Sequence, residues 1–295
     1  MTVPSYLKPG DKIGIVACAR KISKEELMPA IEVLNGWGLE VVTGKNIYNS
    51  CHQFSGTDDE RAEDLQTLLD NSEIKAVISA RGGYGTVRII DKLNFDKFKK
   101  HPKWIVGYSD ITVLHSHIHN FGIETLHATM PINFGKNAEA TETLRKALFG
   151  ENIEYSFESH YLNRQGEASG ELVGGNLSLL YSLSGSVTDI NTDGKILFIE
   201  DLDEYLYHID RMMLNLKRTG KLTNLKGLVV GGMSDMKDNT IPFGKSAEEI
   251  ILDAVKEFSY PVCFGFPAGH IDRNLALFFG RKVKLEIKDK ALFSY

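Results

Sequence analysis

The stretch 103-KWIVGYSDITVLHSH-117 sets the architecture of the chain. Its apolar run, 104-WIVG-107, has the length of a buried strand and ends at Gly107-Tyr108-Ser109-Asp110, after which a helix begins. A strand passing to a helix through so short a turn is the unit from which parallel sheets are wound. The turn also poses a functional question. Ser109 or Asp110 reads equally as a helix cap. Alternatively, Ser109 is a nucleophile lifted above the sheet, with a backbone N–H beside it to receive an oxyanion. The stretch is not G-x-S-x-G, because Ile111 follows Asp110.

The same alternation extends in both directions. Upstream, 11-DKIGIVACA-19 reads as a buried strand, 24-KEELMPAIEVLNGWG-38 as a helix closed by glycine, and 39–44 as a second strand. Thr57 and Glu60 form a capping box ahead of a helix carrying Leu65, Leu68 and Leu69. Strand 74-IKAVISA-80 follows, then the turn 81-RGGYG-85 and an expected helix with Val87, Ile90 and Leu93. Residues 1–150 are thus expected to form an N-terminal domain that carries the nucleophile. Polar residues 135–168 read as a connecting region, and 165–295 as a C-terminal domain. That second part contains strand 195–200, a helix around 204–218, strand 227–232, a helix near 246–257 and strand 283–287. The expected class is α/β in two domains, with no repeat and no low-complexity tract.

Composition narrows the classes. In 295 residues, 42% are hydrophobic and 25% charged, the balance of a globular protein. A net charge of −5 without a Lys/Arg block argues against nucleic acid or anionic membrane as partner. Cys18, Cys51 and Cys263 are far apart and suggest no disulfide framework. No signal peptide is read at the N-terminus and no apolar run reaches the ~20 residues of a bilayer span, so a cytoplasmic location is expected.

A serine nucleophile needs a base, and the base needs an orienting acid. His115 and His119 stand four apart on the helix after Ser109. Together they suggest either a metal site or an ordinary helix surface, without an H-E-x-x-H motif. His270 lies in 263-CFGFPAGHIDRN-274, a Pro/Gly-rich turn directly after a strand, where it is either a catalytic base or a locally bonded loop residue. Glu200 ends the strand 196-ILFIE-200, a position suited to a carboxylate facing an imidazole. Asp201, Asp203 and Glu204 are expected to be solvated or to serve as helix N-terminal charges. The glycines of 81-RGGYG-85 allow close approach of a ligand to the backbone. That turn is a poor dinucleotide fingerprint, and no P-loop occurs, so no nucleotide cofactor is expected.

Seven segments together resemble the LD-carboxypeptidase family, the serine peptidases typified by bacterial muramoyl-tetrapeptide carboxypeptidases. They are LKPGDKIGIVA, FSGTDDERAEDLQ, ISARGGYGTVRII, KWIVGYSDITVLH, GGNLSLLYSLSG, ILFIEDLDEYLYHIDRMM and FGFPAGHIDRN, in the family's order and at about its spacing. The resemblance implies an N-terminal flavodoxin-like or amidotransferase-like parallel-sheet domain and a smaller, β-rich α/β C-terminal domain. It implies Ser109 as nucleophile, Glu200 as acid and His270 as base, with Gly83 and the backbone N–H of Asp110 as the oxyanion-hole segment. Arg81 is a candidate by charge for the substrate's terminal carboxylate. The implied reaction is hydrolysis of the bond to the terminal D-alanine of murein tetrapeptides, part of peptidoglycan recycling, with no metal or cofactor and commonly in a homodimer. Two alternatives are an immunity-type hydrolase of acylated aminoacyl-nucleotide antibiotics and a non-catalytic murein-peptide-binding protein. Two departures stand out: ACAR where the family often has a Pro-Ser pair, and Phe278 where a proline is usual.

Overall fold

The computed structural model describes residues 1–295. The chain divides into two compact units, Met1–Asn152 with Asp272–Phe278, and Ile153–Ile271 with Phe279–Tyr295.

The first unit is wound from β1 (Lys12–Val16), α1 (Lys24–Gly36), β2 (Glu40–Thr43), α2 (Asp58–Asp70), β3 (Ile74–Ser79), α3 (Asp96–Lys100), β4 (Trp104–Gly107), α4 (Thr112–His119), β5 (Thr125–His127) and α5 (Ala138–Phe149). The strands pair in parallel in the order β2-β1-β3-β4-β5, the doubly wound order of flavodoxin-like sheets. Such strands are covered on both faces, which is why β4 is buried at all four of its positions. Two capping boxes start the long helices: Ser23 with Glu26 at α1, and the expected Thr57 with Glu60 at α2.

Two expectations change here. The helix anticipated after 81-RGGYG-85 is replaced by two 3₁₀ turns, Thr86–Arg88 and Ile90–Lys92. The Gly85 carbonyl accepts both the Arg88 N–H and the Arg61 guanidinium, so the first turn closes at i+3 and no α-helical ladder starts. The stretch expected to connect the domains contains α5, capped by Asn137 and ended by Gly150. Its interspersed Glu and Thr residues hide a buried stripe of Ala140, Leu144, Ala147 and Leu148.

The second unit continues with β6 (Glu154–Glu158), β7 (Gly166–Asn176), α6 (Leu177–Leu183), β8 (Ile196–Leu202), α7 (Leu206–Arg218), β9 (Gly227–Ser234), α8 (Ala247–Ala254) and β10 (Val262–Cys263). The chain then adds β11 (Leu277–Phe279) beside β5 in the first sheet. It finishes with β12 (Lys282–Ile287) and β13 (Lys290–Ser294). The seven strands of the second sheet run β10-β9-β8-β7-β12-β13-β6, parallel from β7 to β10 and antiparallel beyond. Helices α6, α7 and α8 bury Leu180, Met212, Met213, Leu216, Ile250 and Ile251 in one cluster with Leu197, Ile199, Leu228 and Val230.

Phe278 is buried in the first unit, its ring 5.5 Å from that of Trp104. Nearby, Arg273 grips Glu139 of α5 through two hydrogen bonds of 2.7 and 2.8 Å. No helix is long and apolar enough to cross a membrane.

Candidate active site

In the first unit, Ser109 sits where β4 gives way to α4, opening a short 3₁₀ turn, Ser109–Ile111. Its φ is +62°, in the left-handed region that a residue with a Cβ enters at a cost of about 1–2 kcal/mol. It does not cap α4 with its side chain, as the helix has no side-chain N-cap bond.

The backbone around it is fixed by buried side chains. His115, entirely inside, hydrogen-bonds the Gly107 carbonyl through Nε2 (2.9 Å) and the Thr125 hydroxyl through Nδ1 (2.8 Å). Burial pushes its pKa down to about 4, so it is a neutral structural group. With both ring nitrogens engaged, His115 has no lone pair left for a metal shared with His119. Tyr108 accepts a hydrogen bond from Asn133 Nδ2 at 2.8 Å through its hydroxyl.

The Asp110 carboxylate is buried and accepts from the Thr86 N–H (2.7 Å) and the Thr86 hydroxyl. Burial raises its pKa, and these bonds work against that rise. Asp110 thereby ties the Ser109 turn to the end of the 81–85 turn. Arg61, only 1% exposed, holds the same turn from the other side, donating to the carbonyls of Cys18 and Gly85 and pairing with Asp58. The consequence is close approach: a Cβ added at Gly82 would lie 2.9 Å from Ser109 Cβ and 3.0 Å from its Oγ. The side of Gly83 faces Arg20 instead, where a Cβ would come within 2.8 Å of Arg20 Cβ. The Arg81 guanidinium donates to the Lys21 carbonyl at 3.1 Å and lies 3.8 Å from Glu26.

In the second unit, Glu200 is fully buried near the end of β8, where an extra residue in β9 shifts the register between Ile199 and Asp201. Its Oε2 accepts from His270 Nδ1 at 2.6 Å and from the His270 backbone N–H at 3.1 Å. The short ring contact puts the imidazole proton on Nδ1 and leaves Nε2 as the basic nitrogen. Burial disfavours the imidazolium, but the Glu200 carboxylate outweighs it, with help from Asp201, and holds the His270 pKa above its ordinary value. Gly269, at φ +106°, makes the contact possible, since a Cβ there would lie 2.7 Å from both Glu200 Cβ and Oε2. The loop is pinned further by Ser234 donating to the His270 carbonyl at 2.8 Å and by the Gly232 N–H donating to the Ala268 carbonyl at 2.9 Å.

Asp201 departs from expectation: it is buried, not solvated. As the next residue along β8 it faces away from the side of Glu200, accepting from Asn176 Nδ2 (2.9 Å), the Ser178 N–H (2.8 Å) and the Leu202 N–H (2.9 Å). Burial and the neighbouring Glu200 charge push its pKa up to about 7. Asp203 is exposed as expected and pairs with Lys237 at 2.6 Å. Burial also pushes the Cys18 and Cys263 thiols up to about 12, which makes them poor nucleophiles.

Arg61 and Thr86 were not identified as site residues from sequence, and His115 was read there only as a metal ligand or a helix-surface residue, not as the group that holds the Gly107 carbonyl. For Arg61 there was a signal: it shares the buried face of α2 with Leu65 and Leu68, four and seven residues on, and a guanidinium on an apolar face implies inward partners.

Comparison with known proteins follows the same division of the chain. A family model described as LD-carboxypeptidase N-terminal domain matches residues 13–128, and one described as LD-carboxypeptidase C-terminal domain matches residues 169–285. The chain is 39% identical to a probable murein peptide carboxypeptidase of Bacillus subtilis, over 97% of this chain and 92% of that one. It is 25% identical to the murein tetrapeptide carboxypeptidase of Pseudomonas aeruginosa, over 93% of each. Among solved structures, muramoyltetrapeptide carboxypeptidase from Oxalobacter formigenes superposes with a TM-score of 0.87 at 29% identity, over 96% of this chain and 97% of that one.

Two measurements test the geometry. His115 should be the source of an acid-side loss of stability. With a folded pKa of about 4 against about 6.5 unfolded, the unfolded state binds the extra proton first. The contribution is whole above pH 6.5 and declines as pH falls toward 4. Urea unfolding at pH 7 and pH 5 is expected to show about 2 kcal/mol of the wild-type loss missing in His115→Gln; identical slopes would refute the neutral-imidazole assignment. For His270, an NMR titration should place its midpoint above 6.5 in the wild type. In Glu200→Gln it should fall below 6.5, because burial, the largest single influence, is then opposed only by the smaller charge effect of Asp201; a rise or no movement would contradict the stated balance.

Proposed function

The chain belongs to the LD-carboxypeptidase family, and on that premise we propose that it hydrolyses the bond to the terminal D-alanine of murein tetrapeptides through Ser109, His270 and Glu200. The observation that carries the reading is the buried Glu200–His270 pair, a carboxylate bonded at 2.6 Å to an imidazole that retains a basic Nε2. The left-handed Ser109, on a turn that no side-chain cap requires, supports the nucleophile's role.

In the proposed reaction His270 Nε2 takes the Ser109 proton as Oγ attacks the carbonyl carbon. Backbone N–H groups of Gly83 and Asp110 receive the oxyanion, and Glu200 stabilises the imidazolium. Collapse breaks the C–N bond, His270 returns its proton to the departing amine, and D-alanine leaves. A water deprotonated by His270 then attacks the acyl-enzyme, and the Ser109–acyl bond breaks to release the tripeptide. We place this activity in cytoplasmic recycling of cell-wall peptides.

Mass spectrometry of a murein tetrapeptide incubated with the protein in the presence of a chelator should show loss of one alanine. Ser109→Ala should reduce the rate by at least about 10³-fold. Cleavage by both proteins would remove Ser109 from the chemistry, and cleavage by neither would remove the substrate assignment. In the active protein, kcat/KM should rise with pH through a limb above 6.5, since the base works only when neutral. Glu200→Gln should lower kcat by about 10²–10⁴-fold and displace that limb downward.

A further inference from the structure

We propose that Arg20 is the specificity residue for the C-terminal carboxylate of the peptide that Ser109 attacks, an inference that rests on the carboxypeptidase reading. The strand order β2-β1-β3-β4-β5 reverses direction between β1 and β3, and in open parallel sheets ligands bind beyond the C-terminal strand ends at that reversal. The loop leaving β1 there carries Arg20, the loop leaving β3 carries residues 81–85, and the turn leaving the next strand, β4, carries Ser109.

The two glycines between these side chains set the spacing. Gly82 presents its bare side to Ser109 and Gly83 to the Arg20 stem, at the distances given above. A substrate carbonyl at Ser109 therefore lies one glycine turn from Arg20. In a peptide the terminal carboxylate carbon is three bonds from the scissile carbonyl carbon, roughly 4 Å away. A guanidinium on a long, flexible stem can meet it there and bind both oxygens. The other carboxylates of a murein peptide lie further along the chain or at the end of a side chain.

Arg20 is built for an external anion. Its backbone is held by an antiparallel bridge to Phe54, by the Ser55 N–H on the Ala19 carbonyl (3.0 Å) and by the Lys21 N–H on the Gln53 carbonyl (3.0 Å). Its side chain is exposed and, within this unit, makes no ion pair or hydrogen bond. By contrast, Arg61 and Arg88 pair with Asp58, while Arg81 bonds the Lys21 carbonyl. Arg81 also stands close behind: burial lowers its pKa first, the charge of Arg20 lowers it further, and Glu26 only partly compensates. Two neighbouring guanidinium groups repel each other, and a bound carboxylate relieves that repulsion.

The test separates this assignment from the reaction itself. In a Ser109→Ala background, calorimetry should find the murein tetrapeptide bound about 10²-fold more tightly than the same peptide ending in D-alaninamide. Adding Arg20→Gln should abolish that preference and leave amide binding within about twofold. With Ser109 present, Arg20→Gln should lower kcat/KM about 10²-fold on the acid and little on the amide, with Arg20→Lys intermediate. An unchanged preference in Arg20→Gln, an equal loss on both peptides, or no binding of either would overturn the assignment. So would an Arg20 effect that disappears when lysine replaces diaminopimelate, since Arg20 would then read that side-chain carboxylate. Arg20-dependent binding without turnover by the wild type would overturn the carboxypeptidase reading and leave Arg20 standing.

Discussion

The constraint on which the first unit turns is a single backbone angle. A non-glycine residue at φ +62° is less stable than the same residue in a helix or strand, so Ser109 stays there only because its surroundings over-determine it. The β4 pairing fixes the chain before it, His115 holds the Gly107 carbonyl, and the Asp110 carboxylate binds Thr86 just after it. The His115 ring and one oxygen of the Asp110 carboxylate each bond the backbone of the turns, and losing such a bond leaves a buried polar group unpaired at a cost of about 1–3 kcal/mol. Removing any one of them would leave a partner unsatisfied and loosen the turn together.

A different balance governs the second unit. A fully buried carboxylate is costly without compensation, and Glu200 is compensated by two donors from one residue, the ring and the backbone N–H of His270. The bonds act on both residues. The loop cannot drift without stripping Glu200, and the imidazole cannot turn without losing its proton's acceptor. Asp201 adds negative charge next to Glu200 yet spends its own oxygens on Asn176, Ser178 and Leu202. Alternation along β8 keeps the two carboxylates on opposite faces, so they share a strand end without sharing a proton.

Much of this was legible in the sequence. Strand–helix alternation gave the parallel first sheet, Thr57 and Glu60 marked the start of α2, and the apolar run before Gly107 located Ser109. What remained hidden has identifiable physical causes. The helix expected at 86–93 failed because Arg61, from another helix, claims the Gly85 carbonyl, and no local pattern reports a long-range bond. The sequence 135–168 read as a connector because Glu and Thr interrupt the apolar stripe of α5. Asp201 looked solvated because a carboxylate after a strand usually is, and its three donors come partly from Asn176 and Ser178, more than twenty positions away. The pairing of β11 with β5 joins residues about 150 apart, which periodicity does not predict.

Both units reach their geometry by the same means, and this limits where each can change. A strand end delivers the polar side chain, and a glycine from a neighbouring loop leaves out the Cβ that would occupy its space: Gly82 at Ser109, Gly269 at Glu200. Those glycines are bound by contact with the very atoms they admit, so a substitution there acts on the site directly, whatever it does to the loop. Arg20 is constrained differently. Its backbone is tied down by Phe54 and its neighbours, but its guanidinium spends nothing on the fold of its own unit. On the proposed reading, the rigid requirements of the nucleophile and the adjustable requirements of recognition fall on separate residues within one turn of Ser109. A chain of this architecture can alter the peptide terminus it accepts at position 20 while the backbone around Ser109 stays as it is.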